Sequence, residues 1–231
     1  MKVIGHRGAA GSELENTLAS LQIAIDLGVY AVEIDIRKTK DNHLVVCHDA
    51  DLTRIAHDGR KISDLSLIQL QKIPLLTGAN IPTLTEALEV IHTTPVFIEL
   101  KESGCSQLLL NVLAKFPKAR VQICSFNLNE LAALRELSPD LTLYGSERTK
   151  PFDIIHLANR LNLNGIGLNY WLLNPLTYWL CKRSHLSMFV YTVNNRFVAN
   201  FLGKLYPDVA ICTDYPERFI KHRRANQKAS K

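Results

Sequence analysis

Apolar residues in this chain recur in two rhythms that take turns from end to end. Short β-like runs stand at Val3–Gly5, Ala31–Ile36, Val96–Leu100, Val121–Cys124, Leu141–Tyr144, Ile166–Leu168, Met188–Thr192 and Val209–Cys212. Between them apolar positions fall at helical spacing. The first such segment carries Leu18, Leu21, Ile25 and Leu27, with Asn16 or Thr17 as its cap and Gly28 as its stop. Others are expected at Thr85–Ile91, Ser106–Phe116, Asn129–Leu137, Asp153–Leu161, Pro175–Arg183 and Arg196–Leu205, with a last short helix after Pro216. The stretch from Asp51 to Ile73 breaks the rhythm: it reads as polar and turn-rich, with a helix at Ser66–Lys72.

Eight β–α units without a linker predict an α/β fold, a TIM (β/α)8 barrel over residues 1–220 with a short excursion after the second strand. An open doubly wound sheet is the competing architecture. It would need a glycine-rich first turn for a nucleotide, and His6-Arg7-Gly8-Ala9-Ala10-Gly11 lacks that spacing.

Composition narrows the classes. At 231 residues, 47% hydrophobic and 21% charged, the chain is an ordinary globular one with enough length for a large core. The formal charge of +5 lies wholly in residues 221–231, where Lys221, Arg223, Arg224, Lys228 and Lys231 face no acid; the rest is neutral. That basic tail is read as disordered and solvated, and no nucleic-acid partner is expected. The five cysteines are scattered without a C-x-x-C pair, so neither a disulfide framework nor a zinc site is supported. No apolar run is long enough to span a membrane, and the N-terminus lacks a signal-peptide core. A cytoplasmic protein without membrane insertion is the expectation.

One strand departs from the usual pattern. Val32-Glu33-Ile34-Asp35-Ile36 puts three apolar residues on one face and two acids on the other. A Lys40-Asp41-Asn42 turn then leads into Leu44–Cys47, which ends at His48-Asp49. Glu99-Leu100-Lys101 repeats the spacing of two, again pairing polar groups on one face. In a parallel barrel the strand C-termini form the site, and His6, Arg7, Glu33, Asp35, Glu99 and Lys101 all fall there. Any one of these acids alone could be a buried ion-pair partner. Together, Glu33, Asp35 and Glu99 would repel one another unless a cation neutralised them. Oxygen-only ligands suit a hard divalent ion, Mg²⁺ or Ca²⁺. Arg7 and Lys101 would then suit a phosphate, and His6 and His48 could act as acid and base. The chemistry this fits is metal-assisted cleavage of a phosphate ester.

The ordered set His6-Arg7-Gly8, Glu15-Asn16-Thr17, Glu33-Ile34-Asp35, Thr39-Lys40-Asp41, Val45–Asp49, Ile81–Leu84, Ile98–Lys101, Gln122 with Ser125-Phe126, Thr192–Asn194 and Thr213–Pro216 resembles the glycerophosphodiester phosphodiesterase family along nearly the whole chain. The resemblance implies a TIM barrel that uses a divalent cation to hydrolyse small glycerophosphodiesters to an alcohol and sn-glycerol 3-phosphate. It implies His6 and His48 as the acid/base pair, Glu33, Asp35 and Glu99 as metal ligands, and Arg7 and Lys101 as phosphate contacts. Departures are Leu14 where the family usually has proline, Tyr191 where it has tryptophan, and the short excursion between His48 and Pro82. One alternative is lysophospholipase D-like chemistry, with Tyr170, Trp171 and Tyr191 as a greasy wall for a lipid chain. A non-catalytic phosphate-binding module would be expected to have lost a histidine or a carboxylate, and none is missing.

Overall fold

The chain is described over residues 1–220 by a computed structural model; the tail expected at 221–231 lies outside the described residues. The strands are β1 (Val3–Gly5), β2 (Ala31–Lys38), β3 (Leu44–Val46), β4 (Asp51–Leu52), β5 (Asp58–Lys61), β6 (Val96–Leu100), β7 (Val121–Ser125), β8 (Leu143–Glu147), β9 (Gly165–Asn169), β10 (Ser187–Tyr191) and β11 (Ala210–Thr213). Helices α1 (Leu18–Asp26), α4 (Leu84–Ile91), α5 (Ser106–Leu113), α6 (Leu128–Leu137), α7 (Pro151–Arg160), α8 (Pro175–Arg183) and α9 (Arg196–Leu205) alternate with the barrel strands, while α2 (Thr53–Ala56) and α3 (Leu67–Leu70) belong to the excursion.

Strands β2 and β6 to β11 pair in parallel in sequence order, and β1 closes the ring by pairing with both β11 and β2. This is the expected TIM barrel. On β2 the period of two is used in an unusual sense. Val32, Ile34 and Ile36 point outward into the core shared with the helices, and the acids share the interior side with Ala31. Below the acids the interior is closed by Ile4, Phe97, Cys124, Tyr144, Phe189 and Cys212. Space for those rings comes from Gly165 and Gly167, where a Cβ would sit 2.3 Å from Tyr144 and 2.3 Å from Phe189. All five cysteines are buried and free.

Local chemistry fixes the helix starts. Thr17, not Asn16, caps α1 by accepting from the Ser20 N–H. Thr83 and Glu86 form a reciprocal capping box that launches α4. Asn174 caps α8 ahead of Pro175 at its first position.

Three expectations are corrected. The helix at Ser66–Lys72 shrinks to one turn, Leu67–Leu70, held by a Ser66–Gln69 capping box. The helix after Pro216 is a single 3-10 turn, Pro216–Arg218. The fifth strand starts later than expected, at Leu143, because Leu141 still turns back to the Ser138 carbonyl. The excursion is also less polar than its composition implies. Along β3, Leu44 and Val46 face the barrel core, while Val45 joins Cys47, Leu52, Ile55, Ile62, Leu70 and Ile81 in a second core of its own.

Candidate active site

His6 leaves the end of β1, its N–H bonded to the Thr213 carbonyl at 2.9 Å across the closing seam. Arg7 and Gly8 follow with φ of 51° and 84°, two left-handed residues that reverse the chain at once. A Cβ on Gly8 would stand 2.5 Å from the Ser20 hydroxyl, so only glycine fits this approach to α1. The reversal aims the Arg7 N–H at Glu33 Oε2, 3.0 Å away.

Glu33 and Asp35 rise from β2, and the β2–β6 register sets Asp35 directly beside Glu99. The three carboxylates each offer an oxygen within 4.8 Å of the others, with Glu33 and Asp35 buried. Lys101 Nζ lies 2.9 Å from Asp35 Oδ1 and also pairs with Glu99. Arg7 Nε lies 3.2 Å from Asp35 Oδ2, and its Nη1 donates to Glu15 at 2.9 Å. Burial and the charge of Asp35 push the Glu33 carboxyl upward. Burial pushes Asp35 the same way, but Lys101 and Arg7 outweigh it and hold Asp35 below its ordinary value. Glu33 Oε1 is buried without a partner, and Asp35 Oδ1 has only the Lys101 ammonium. An orphaned carboxylate oxygen in an all-oxygen cluster fits a hard divalent cation.

The histidines flank this cluster in matching ways. His6 Nδ1 bonds Asp214 at 2.6 Å, leaving Nε2 3.9 Å from Glu33. Asp214 is held in turn by the Asn194 amide at 2.6 Å. His48 Nδ1 bonds Asp49 at 2.7 Å. It shares a cleft of ≈ 630 Å³ with Glu99, Lys101, Phe126 and Arg148, the Arg148 guanidinium stacked 4.6 Å from the Phe126 ring. Burial lowers the His6 pKa, but the Asp214 bond and the Glu33 charge outweigh it and raise the net value. For His48, burial together with Lys101 and Arg7 wins, and the value falls.

All seven residues singled out in the sequence therefore meet at the barrel mouth. Their supports are given no role by the sequence, although Glu15, Asn16, Asn194 and Asp214 lie within the motifs that carry the resemblance. Asn16 is buried with its amide on Asp35 at 2.9 Å, which is why it does not cap α1. Asp214 and Asn194 position His6, and Glu15 anchors Arg7. Arg54 bridges Glu15 to Asp49, and Arg37 donates to the His48 carbonyl at 2.9 Å. Barrel closure alone could have pointed to Asp214, since the end of the eighth barrel strand must neighbour the first. Of the aromatics expected as a greasy wall, Tyr191 turns its hydroxyl to the Glu147 carbonyl at 2.8 Å, and Trp171 is largely in solvent.

Residues 6–218 match the model of the glycerophosphoryl diester phosphodiesterase family. A glycerophosphodiester phosphodiesterase of Caldanaerobacter subterraneus is 30% identical, with 94% of this chain and 96% of that one covered. Lysophospholipase D GDPD1 of Homo sapiens is 37% identical over 49% of this chain and 38% of its own. The structure of an Oleispira antarctica phosphodiesterase in complex with the product sn-glycerol-3-phosphate superposes with a TM-score of 0.88 at 26% identity, covering 94% of each chain. The chain belongs to the glycerophosphoryl diester phosphodiesterase family, which makes it a phosphoric diester hydrolase.

Proposed function

We propose that the barrel mouth hydrolyses small, deacylated glycerophosphodiesters to an alcohol and sn-glycerol 3-phosphate, with a divalent cation at Glu33, Asp35 and Glu99. The observation that carries this reading is the pair of histidines, each oriented by its own aspartate, on either side of a carboxylate cluster in which Glu33 Oε1 is buried without a partner. A bound Mg²⁺ or Ca²⁺ would supply charge neutralisation to a phosphate oxygen. The protein's own groups do the rest. Asp214 and Asp49 engage Nδ1 of His6 and His48, so each ring presents Nε2 to the substrate and can hold or release a proton there. Arg7 and Lys101 sit on the same carboxylates that would take the cation, within reach of a phosphate docked on it. The phosphate-bearing relative from Oleispira antarctica supports this choice of substrate class.

The test is a head-group panel with glycerophosphocholine, glycerophosphoethanolamine and related diesters, assayed for glycerol 3-phosphate with Mg²⁺, Ca²⁺ and Mn²⁺ in parallel. Folded protein that yields no product in any combination overturns the reading. The 37% identical stretch shared with a lysophospholipase D favours a second reading, the same chemistry on a lipid that keeps its acyl chain. A higher rate on a lysolipid than on its deacylated head group would select it.

A further inference from the structure

The outer surface of the barrel is uneven in charge. Residues 154–207 contain no aspartate or glutamate, yet they carry Arg160, Lys182, Arg183, Arg196 and Lys204. Over residues 1–220 positive and negative charges cancel, so this arc is basic at the expense of the rest. Of these cations only Lys182 is neutralised by a carboxylate among the described residues, pairing with Asp208 at 2.6 Å.

The same arc holds the most exposed large apolar side chains. Phe197 is 86% exposed and Trp171 76%, and Phe201, Leu205, Leu176 and Trp179 are each more than half exposed. Phe197, Phe201 and Leu205 are spaced by four, so they form one stripe along α9. α9 buries Ala199 and Leu202 against the barrel, and the stripe widens its apolar face past what the barrel covers, with Arg196, Asn200 and Lys204 on the remaining side. An apolar face wider than its seat leaves surface for a further contact.

The stripe begins at the site. Phe197, Arg196 and Arg218 line a cleft with Asn194, the residue that holds Asp214 and through it His6. Trp171 lies just past the end of the neighbouring strand β9, on the same rim. Arg218 stacks on Tyr215 and reaches the Asn194 carbonyl.

We infer that this aromatic and basic arc docks on an anionic lipid surface, with α9 lying in the interface and the barrel mouth at its edge. Charge decides between the possible occupants. Two copies meeting through this face would set unpaired cations against each other, with no acid in the arc to answer them. An anionic bilayer answers all of them, and aromatic rings flanked by cations suit its headgroup layer. The docking is peripheral: no helix among the described residues is long and apolar enough to cross a membrane.

Both tryptophans of the chain, Trp171 and Trp179, lie in the arc, so their emission reports occupancy directly. Vesicles of phosphatidylcholine mixed with phosphatidylglycerol should sediment the full-length protein and blue-shift that emission. Binding should weaken at high salt and be far weaker to pure phosphatidylcholine, each basic residue at the surface contributing about fivefold. Phe201→Ser with Leu205→Ser should cut vesicle affinity roughly a hundredfold. Lys204→Glu should cut it too, and both variants should keep their rate on a small water-soluble diester. The inference is overturned if wild-type protein ignores anionic vesicles, or if emission is already blue in a dimer that shields the arc. Neither result bears on hydrolysis of soluble diesters, which is assayed separately.

Discussion

The two histidines of the site are held by different parts of the molecule. His6 stands on the barrel itself: its backbone bonds β11, its ring is clamped by Asp214, and Asn194 fixes Asp214 in turn. His48 stands on the excursion, whose apolar residues form a core separate from the barrel's. The unit is tied to the barrel by the β2–β3 ladder and by Leu44 and Val46 in the barrel core, and to the site by a handful of polar clips. The Cys47 N–H bonds the Asp35 carbonyl at 2.9 Å, Arg37 bonds the His48 carbonyl, and Arg54 ties Asp49 to Glu15. One half of the site therefore shares the stability of the whole barrel, while the other depends on a small unit staying docked. Local opening of that unit would disable chemistry without unfolding the protein.

Removing either ring should be the largest effect. His6→Ala and His48→Ala are each expected to cut turnover by about 10²–10⁴-fold while the fold persists, checked by steady-state rates beside circular dichroism. Equal stability of the two variants and wild type would confirm that these rings act in the reaction.

Core truncations should then separate the two units. Ile98→Ala, in the barrel core, should cost about 2–5 kcal/mol of global stability in denaturant titration. Ile62→Ala, in the excursion core, should instead raise hydrogen exchange around residues 51–75 and lower turnover while sparing barrel amides. Uniform exchange in both variants would break the comparison.

The clips should give smaller effects. Arg54→Ala removes an exposed side chain, and its loss should lower turnover only a few-fold, on the order of 1 kcal/mol or less. Acid should act in the same direction. Burial pushes the Glu15 carboxyl up, but the Arg54 hydrogen bonds and the Arg7 charge outweigh it and hold it below its ordinary value. A carboxylate depressed in the folded state stabilises it above the unfolded pKa, about 4.3 for glutamate, and that contribution is lost as pH falls toward the folded value. Excursion amides should therefore begin to exchange faster than barrel amides as pH drops below about 4.3. Glu15→Gln should remove that difference in onset.

The barrel-borne half was far easier to read from the sequence. Glu33, Asp35, Glu99 and Lys101 announce themselves because a period of two puts them on one face, and strand order then stacks them. The same alternation does not say which face looks inward, and here the apolar face looks out. Asp214 and Asn16 stand in motifs that carry the resemblance but show no role there, and Arg54 carries no local signal. Each works through a partner far along the chain: Asp214 reaches His6 only because the barrel closes, and Asn16 reaches Asp35 only because α1 packs where it does. The excursion was misjudged as polar because its core is built from scattered single residues such as Leu52, Ile55 and Ile62, without a sustained period. The exposed stripe on α9 is hidden for the opposite reason, since the sequence does not show how much of a helix's apolar face its neighbours cover.

The central claim is that a cation at Glu33, Asp35 and Glu99 unites the two halves. It is tested most directly by stripping the protein with a chelator and following glycerol 3-phosphate release from a glycerophosphodiester as Mg²⁺ or Ca²⁺ is returned, in wild type and Glu33→Gln. Stripping should abolish turnover, adding back the cation should restore it, and the Glu33→Gln recovery curve should shift to higher cation concentration. Full turnover by the stripped protein, or superimposable curves for the two proteins, would contradict it.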